Sequence, residues 1–439
     1  MRILMFTWEF PPLIAGGLGM ACYGMVKSLL KLGVEVDLAI PTREEVYFPL
    51  RKPEDVDLLP VEFIDKEVEA DFFSQKLKSL DERMEFIGVT EHPETYMDPE
   101  EMQEYMHYFE KSEYKNSSGE EQVWDVLGAS LIGEEDIFVK VQEFTLRAEK
   151  YTKLLNFDLI HAHDWLCYSA GMIARKLSGK SLAVHIHATE FDRSGGGGDE
   201  RIHRIELTGM TYADYVMAVS RYTAEMIISR YRIDTGKIRI VHNAYSVKES
   251  ADEKRERFFD GMTILFLGRI TIQKGPEYFL EVAKRVLRKH PEARFIMAGS
   301  GDMARKMIHR AAAMKLGHRF LFTGFLNRAG VDRILQASDI YIMPSISEPF
   351  GIAPLEAMAY AVTAIISKQS GVSEVIQNAY KVDFWQIDEM TRRICWLIEH
   401  PEKCRAMGIA GMKEVQQILW DEAAEKIEKV YKECLETCH

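Results

Sequence analysis

The segment Glu348-Pro349-Phe350-Gly351-Ile352-Ala353-Pro354-Leu355-Glu356 holds two carboxylates eight positions apart. Tyr341-Ile342-Met343 upstream reads as a short buried strand, which puts Glu348 in a Pro/Gly loop and Glu356 on the helix after it. In an open parallel sheet, ligands bind where strand C-termini meet helix N-termini. The first turn of a helix leaves N–H groups unpaired and carries partial positive charge, which suits an anionic group. A carboxylate beside such a place is poorly suited to holding phosphate itself. It is well suited to gripping hydroxyls, as on a sugar and a ribose. The plainer alternative is that both glutamates cap or solvate a helix.

Four more stretches fall at expected strand ends. Ala15-Gly16-Gly17-Leu18-Gly19 follows the first strand and opens a helix, where glycines let backbone amides approach a bound group. It is not G-x-G-x-x-G, and Pro41-Thr42 stands where a dinucleotide fold keeps an acidic residue, so plain NAD binding is disfavoured. Gly268-Arg269-Ile270-Thr271-Ile272-Gln273-Lys274-Gly275 puts two cations in one loop. Arg269 suits a bidentate grip on a diphosphate and Lys274 a mobile point charge; a solvated basic loop is the alternative. Alternation puts His185 and His187 on one strand face, with His187 nearer the ligand end, ahead of Gly195-Gly196-Gly197-Gly198. Each is either a ligand-facing group or a structural histidine. His161-Ala162-His163-Asp164-Trp165 also closes a strand, yet the chain offers no H-E-x-x-H and no cysteine pair for a catalytic metal. Asp55-Val56-Asp57 is a lone D-x-D, and Cys434, Cys438 and His439 lack a fourth ligand. Neither a metal nor a cofactor is expected.

These loops need strands and helices behind them, and the chain supplies both. Aliphatic runs at Arg2–Trp8, Val34–Ile40, Phe157–His163, Leu182–His187, Tyr215–Val219 and Ile238–His242 alternate with helical patterns. A second series follows at Thr263–Leu267, Arg294–Ala298, Phe320–Thr323, Ile340–Met343 and Thr363–Ile366. Glu277–Lys289 between them repeats its apolar residues with helical period. This order predicts parallel βαβ units and an α/β fold of two Rossmann-like domains facing across a cleft. The polar stretch Val247–Asp260 reads as the linker. The expected domains are 1–246 and 261–420, with an insertion at about 43–150, mostly helical, and a final helix at 421–439 bracing the first domain. Trp396, Leu397, Ile418, Leu419 and Trp420 are the expected anchors of the C-terminal section.

At 439 residues the chain exceeds one comfortable core. Its net charge of −13 argues against nucleic acid as a partner. No run is long enough to span a bilayer, and the first apolar run stops at Glu9, so no signal peptide is read and a cytoplasmic location is expected. Six scattered cysteines make no disulfide framework.

Together these residues resemble the retaining glycosyltransferases of the GT-B fold (glycosyltransferase families four and five), the superfamily that contains glycogen and starch synthases. The most specific element is the pair Glu348–Glu356, supported by Gly268-Arg269…Lys274-Gly275 and Ala218-Val219-Ser220-Arg221-Tyr222. His161-Ala162-His163-Asp164-Trp165 and His187-Ala188-Thr189-Glu190 resemble the glycogen-synthase side. The resemblance implies that Arg269 and Lys274 bind the donor's diphosphate, Glu348 holds sugar hydroxyls, and Glu356 binds the ribose. It implies that the amides of Phe350, Gly351 and Ile352 meet the distal phosphate, that Gly16 and Gly17 close over the diphosphate, and that Phe325 lies by the nucleobase. His187 would sit against the donor sugar, with Asp164 and Glu190 on the acceptor side. The implied activity is metal-free transfer of a hexose, with glucose the leading expectation, from an ADP-, UDP- or GDP-sugar to a carbohydrate, with an α-glucan the leading acceptor. A lipid-linked or small-molecule acceptor, or a non-catalytic binding protein, are the alternatives, and a homo-oligomer stays open. Three positions depart from the family. Ile14 replaces the lysine that bacterial glycogen synthases carry two residues before the paired glycines, Ala359-Tyr360-Ala361-Val362-Thr363 replaces Ala-x-Gly-x-Pro, and His242-Asn243-Ala244 replaces the usual Asn-Gly.

Overall fold

The computed structural model describes residues 1–10, 17–42, 84–90, 137–245 and 259–437. Its strands are β1 Arg2–Phe6, β2 Glu35–Thr42, β3 Met84–Thr90, β4 Leu159–His163, β5 Ser181–Ile186, β6 Tyr215–Ala218 and β7 Ile238–Ile240 in the first half. The second half has β8 Thr263–Leu267, β9 Arg294–Ala298, β10 Phe320–Gly324, β11 Ile340–Met343, β12 Thr363–Ser367 and β13 Ala379–Val382. They form two parallel sheets, ordered β3-β2-β1-β4-β5-β6-β7 and β10-β9-β8-β11-β12-β13. The protein therefore has the two Rossmann-like units of a GT-B fold. Strand order reverses between β1 and β4 and again between β8 and β11, so each sheet opens a crevice at the C-terminal ends of those strands.

The strands read as continuous apolar runs because both sheet faces are covered. Leu4 and Phe6 of β1 face a core with Phe144 and Tyr168, whereas Ile3 and Met5 face Met25, Leu29 and Ile427. In β8, Ile264 and Phe266 meet Phe279 and Phe295, and Leu265 meets Leu355 and Met358. The period of two thus sorts each strand into two cores.

Two strands escaped the sequence reading. β13 lies at a sheet edge, and Tyr380 and Lys381 leave it half apolar, so its signal is weak. β3 lies inside the expected insertion. Of the segment 43–150, the structure describes only β3, which pairs with β2, and the opening of the helix Ile137–Leu154. Asp55, Asp57, Cys438, His439, Ile14 and most of the linker 247–260 lie outside the described residues. Among those described, no helix is long and apolar enough to cross a membrane.

The chain's last helix, Trp420–Thr437, packs on the first sheet. Trp420 lies so close to Gly24 that a Cβ there would stand 2.3 Å from the indole Nε1. Lys31 and Asp421 pair at 2.9 Å, Arg239 and Glu433 at 2.8 Å, and Tyr245 N–H donates to the Ile418 carbonyl at 3.1 Å. Leu397 and Trp420 are buried as expected, but Trp396 and Leu419 are each 37% exposed. The helix Ile387–Glu399 buries Met390, Ile394 and Leu397, and Trp396 falls off that stripe to stack on His400. Trp420→Ala should cost about 3–5 kcal/mol of stability, the scale of emptying a buried aromatic site. Urea unfolding of the two proteins measures it, and an unchanged midpoint would show that the helix does not brace the first half.

Candidate active site

In the second half, two loops leave the strands that flank the crevice. Gly275 brings the loop after β8 against the loop after β11: a Cβ at Gly275 would stand 2.1 Å from the Pro344 carbonyl oxygen. Ile346 N–H donates to the Gln273 carbonyl at 2.9 Å across the same approach. Lys274 Nζ then lies 2.5 Å from Glu348 Oε2, and Ser345 Oγ donates to the same oxygen at 3.0 Å. Glu348 is 5% exposed. Its backbone is pinned on both sides, by Glu348 N–H to the Gln369 carbonyl (2.9 Å) and Gly371 N–H to the Glu348 carbonyl (3.0 Å).

Three features of the same half are unused. Arg269 is exposed and has no ion-pair partner among the described residues. The N–H groups of Phe350, Gly351 and Ile352, ahead of the helix Ala353–Ala359, donate no hydrogen bond to any described residue. Phe325, after β10, is 73% exposed. Glu356 is occupied: it accepts from Arg328 Nη1 at 2.5 Å, and Arg328 also lies 3.3 Å from Asp332.

In the first half, Gly17 is exposed at the start of the helix Gly17–Lys31, and Gly16 lies outside the described residues. At the end of β4, Asp164 holds a φ of 56°, a left-handed value costly for a residue with a Cβ. Its Oδ1 accepts His187 N–H at 2.7 Å, and its Oδ2 lies 3.3 Å from Arg193, which reaches Glu206 at 3.2 Å. Glu206 in turn accepts Glu190 N–H at 2.9 Å, and Glu190 Oε1 accepts Asp199 N–H at 3.1 Å. Asp164 and Glu190 therefore hold the turn that presents His187. Burial lowers the His187 pKa, and the Asp164 charge only partly offsets it, so the ring is a neutral hydrogen-bonding group. His187 Nε2 lies 3.0 Å from His163 Nδ1.

The halves touch directly. A capping box between Thr189 and Asp192 starts the helix Glu190–Ser194, and Asp192 accepts from Ser347 Oγ beside Glu348. Burial raises the Asp192 carboxyl, against the pull of the Ser347 and Thr189 hydrogen bonds. Ser220 Oγ donates to the Pro349 carbonyl at 2.5 Å, and Tyr222 Oη lies 3.0 Å from Ser347 Oγ. Glu374 accepts Arg221 N–H at 2.9 Å and Tyr222 N–H at 2.8 Å, and lies 2.8 Å from His242 Nε2.

Sequence reasoning did not single out Arg328, Ser345, Ser347 or Glu374, and gave Ser220 no role. Ser220 alone carried a signal, as an N-cap accepting Thr223 N–H ahead of the helix Arg221–Met226. At Gly371 a Cβ would stand 2.2 Å from the Pro349 carbonyl oxygen and 2.4 Å from Ser220 Cβ. Gly371→Ala should therefore push the halves apart at a cost of roughly 1–3 kcal/mol. Gly197→Ala is its control, because a Cβ there meets nothing within 4 Å. Equal unfolding midpoints for the two variants would contradict the contact.

Comparison with known proteins follows the same division. Residues 2–237 match the family described as starch synthase catalytic domain, and residues 247–414 match glycosyl transferases group 1. An uncharacterized glycosyltransferase of Methanocaldococcus jannaschii is 25% identical over 99% of both chains. The glycogen synthase of Mycobacterium tuberculosis is 23% identical over 86% of this chain and 80% of its own. The alpha-maltose-1-phosphate synthase of Mycolicibacterium smegmatis is 26% identical over 62% and 78%. Among solved structures, sucrose-phosphate synthase from Thermosynechococcus elongatus superposes with a TM-score of 0.70 over 99% of both chains at 18% identity, a likeness of fold. With a starch-synthase match over its first half and a group 1 match over its second, the chain is a glycosyltransferase and belongs to the starch synthase catalytic domain family.

Proposed function

We propose that the protein moves a hexose, glucose before others, from a nucleoside-diphosphate sugar to an α-glucan with retention of configuration. The observation that carries this is the Lys274–Glu348 pair lying beside three backbone N–H groups that have no acceptor among the described residues. A bare carboxylate next to a diphosphate would repel it. Paired with Lys274, Glu348 still offers lone pairs to sugar hydroxyls while the local charge stays near zero. Arg269 and Lys274 then face the diphosphate, the amides of Phe350, Gly351 and Ile352 meet its distal phosphate, and Gly16 and Gly17 close over it from the other half. Glu356 turns from Arg328 to the ribose, and Phe325 covers the base.

The acceptor hydroxyl attacks from the face the diphosphate leaves, and the departing phosphate oxygen takes its proton. Catalysis is then mainly electrostatic stabilisation of the leaving group. His187, held neutral and aimed by Asp164, donates to or accepts from a hydroxyl of the donor sugar. A double displacement needs a free carboxylate on the opposite face. Glu190 and Asp192 are the nearest, and both are engaged in structural hydrogen bonds.

The α-glucan acceptor is supported by the likeness to glycogen synthase. The similar likeness to an alpha-maltose-1-phosphate synthase favours a small-molecule acceptor as the second reading. The net charge of −13 argues against a surface of anionic lipid. A binding protein without turnover is disfavoured because Arg269, Lys274, Glu348 and Glu356 are all present.

Purified protein given ADP-, UDP- and GDP-hexoses, with and without glycogen or maltooligosaccharide, should release nucleoside diphosphate only when a glucan is present. Release with small acceptors instead would move the reading to the second one, and no release with any pair would overturn it. Glu348→Ala and Lys274→Ala should each lower turnover roughly 10-fold or more, the scale of losing one preorganised charge contact. Near-normal transfer by either variant would contradict these roles.

A further inference from the structure

Behind His187, a row of histidines runs into the interior of the first sheet. His161 and His163 share one face of β4, and His185 lies on β5 in register with His163. All three are fully buried. Their ring centroids stand 4.1 Å (His161–His163), 5.3 Å (His163–His185) and 5.4 Å (His161–His185) apart. One nitrogen from each ring lies within 4.8 Å of the others.

The hydrogen bonding of these rings is incomplete in a particular way. His161 Nδ1 meets Tyr431 Oη at 2.7 Å, and His163 Nδ1 meets His187 Nε2 at 3.0 Å. His161 Nε2, His163 Nε2 and both nitrogens of His185 have no partner among the described residues. Whichever tautomers the rings adopt, buried N–H groups or lone pairs stay unpaired, and each costs the desolvation of a polar group. Apolar side chains would fill the same space without that cost.

A metal ion removes most of the deficit: it takes His161 Nε2, His163 Nε2 and one nitrogen of His185, and leaves only the other His185 nitrogen without a partner among the described residues. Metal-bound histidine gives its second ring N–H to another group, which fixes the tautomer and leaves the other lone pair for the ion. Tyr431 Oη and His187 Nε2 are such groups for His161 and His163. At a metal–nitrogen distance of about 2.0–2.1 Å, tetrahedral ligation separates imidazole centroids by roughly 5 Å; His185 stands at 5.3 and 5.4 Å from the other two rings, whereas His161 and His163, at 4.1 Å, would have to spread. Rotation about χ2, a soft torsion for histidine, would complete the convergence.

We propose that His161, His163 and His185 bind a zinc-type divalent ion between β4 and β5, under the floor of the cleft. Imidazole ligands suit zinc among the common divalent ions. Three imidazoles leave the fourth tetrahedral position to a solvent ligand, and the ion's role would be structural. It would tie β4 to β5 and, through Tyr431, to the chain's last helix, and it takes no part in the transfer step. It would also fix His163 as the donor to His187 Nε2, so that His187 Nδ1 carries the N–H. A second triad, Cys22, His163 and His187, lies nearby. It fits less well, because it breaks the His163–His187 bond and takes Cys22 from its 3.3 Å contact with Thr7 Oγ1.

The test uses the full chain. After dialysis, metal content is measured by mass spectrometry, and chelator-stripped protein is titrated with Zn2+ and with Co2+. Expected are about one tightly held ion per chain, a thermal midpoint that rises on Zn2+ addition, and a Co2+ ligand-field spectrum without a thiolate charge-transfer band. Tyr431→Phe, which removes only a hydroxyl, should weaken the ion roughly 10- to 100-fold, as loss of such an outer contact does. His161→Gln with His185→Gln should abolish binding, with circular dichroism reporting whether the variant folds. If it does not fold, the wild-type stoichiometry and the Tyr431→Phe affinity decide. Stripped protein that binds neither ion, a thiolate band, or undiminished binding in the folded double variant would each overturn the proposal. The result is independent of any transfer assay.

Discussion

A carboxylate buried at the place proposed for a diphosphate is an electrostatic problem, and the contact between Lys274 and Glu348 answers it. Alone, Glu348 would pay desolvation and repel the ligand. With Lys274 at 2.5 Å and Ser345 at 3.0 Å it becomes an acceptor with nearly neutral surroundings. The two residues are 74 positions apart and belong to different βα units. They meet because β8 and β11 are neighbours at the point where strand order reverses, and because Gly275 lets the two loops touch at backbone distance. Neighbouring strands, the reversal and one glycine are all needed.

The first half depends on that loop in turn. Ser347 and Pro349, on either side of Glu348, are the residues that Asp192, Tyr222 and Ser220 reach across the cleft. Asp192 sits on the same turn as His187, and that turn is held from below by Asp164, Arg193 and Glu206. The face proposed to meet an acceptor and the loop proposed to grip the donor are thus mechanically linked. The last helix adds a second tie, returning to the first sheet after the chain has built the second. A domain motion in this protein has to work against both.

Much of the fold was legible because buried parallel strands must be apolar on both faces, and such runs stand out. β8, β9 and β11 read to the residue, and most others to within two positions. β13 was not legible: an edge strand with Lys381 and a half-exposed face lacks the signal. The site divides similarly. Glu348, Lys274 and Arg269 were singled out because each belongs to a local loop at a strand end, where residue type and spacing carry chemistry. Arg328, Ser345, Ser347 and Glu374 were not, because their meaning lies in pairings no local pattern encodes; Glu374 meets Tyr222 from 152 positions away. The histidines were visible as pairs along each strand. Only the β4–β5 register turns two pairs into one buried row.

The central claim is a division of labour within one ion pair, Lys274 for the diphosphate and Glu348 for the sugar. Calorimetry of the best donor and of its free nucleoside diphosphate, against wild type, Lys274→Ala and Glu348→Ala, tests it most directly. Lys274→Ala is expected to weaken both ligands, on the order of 10-fold, the scale of one lost charge contact. Glu348→Ala is expected to weaken only the sugar-bearing donor and to leave the free diphosphate bound at least as well. Equal losses for both ligands in both variants, or a lysine variant that binds the diphosphate normally, would contradict it.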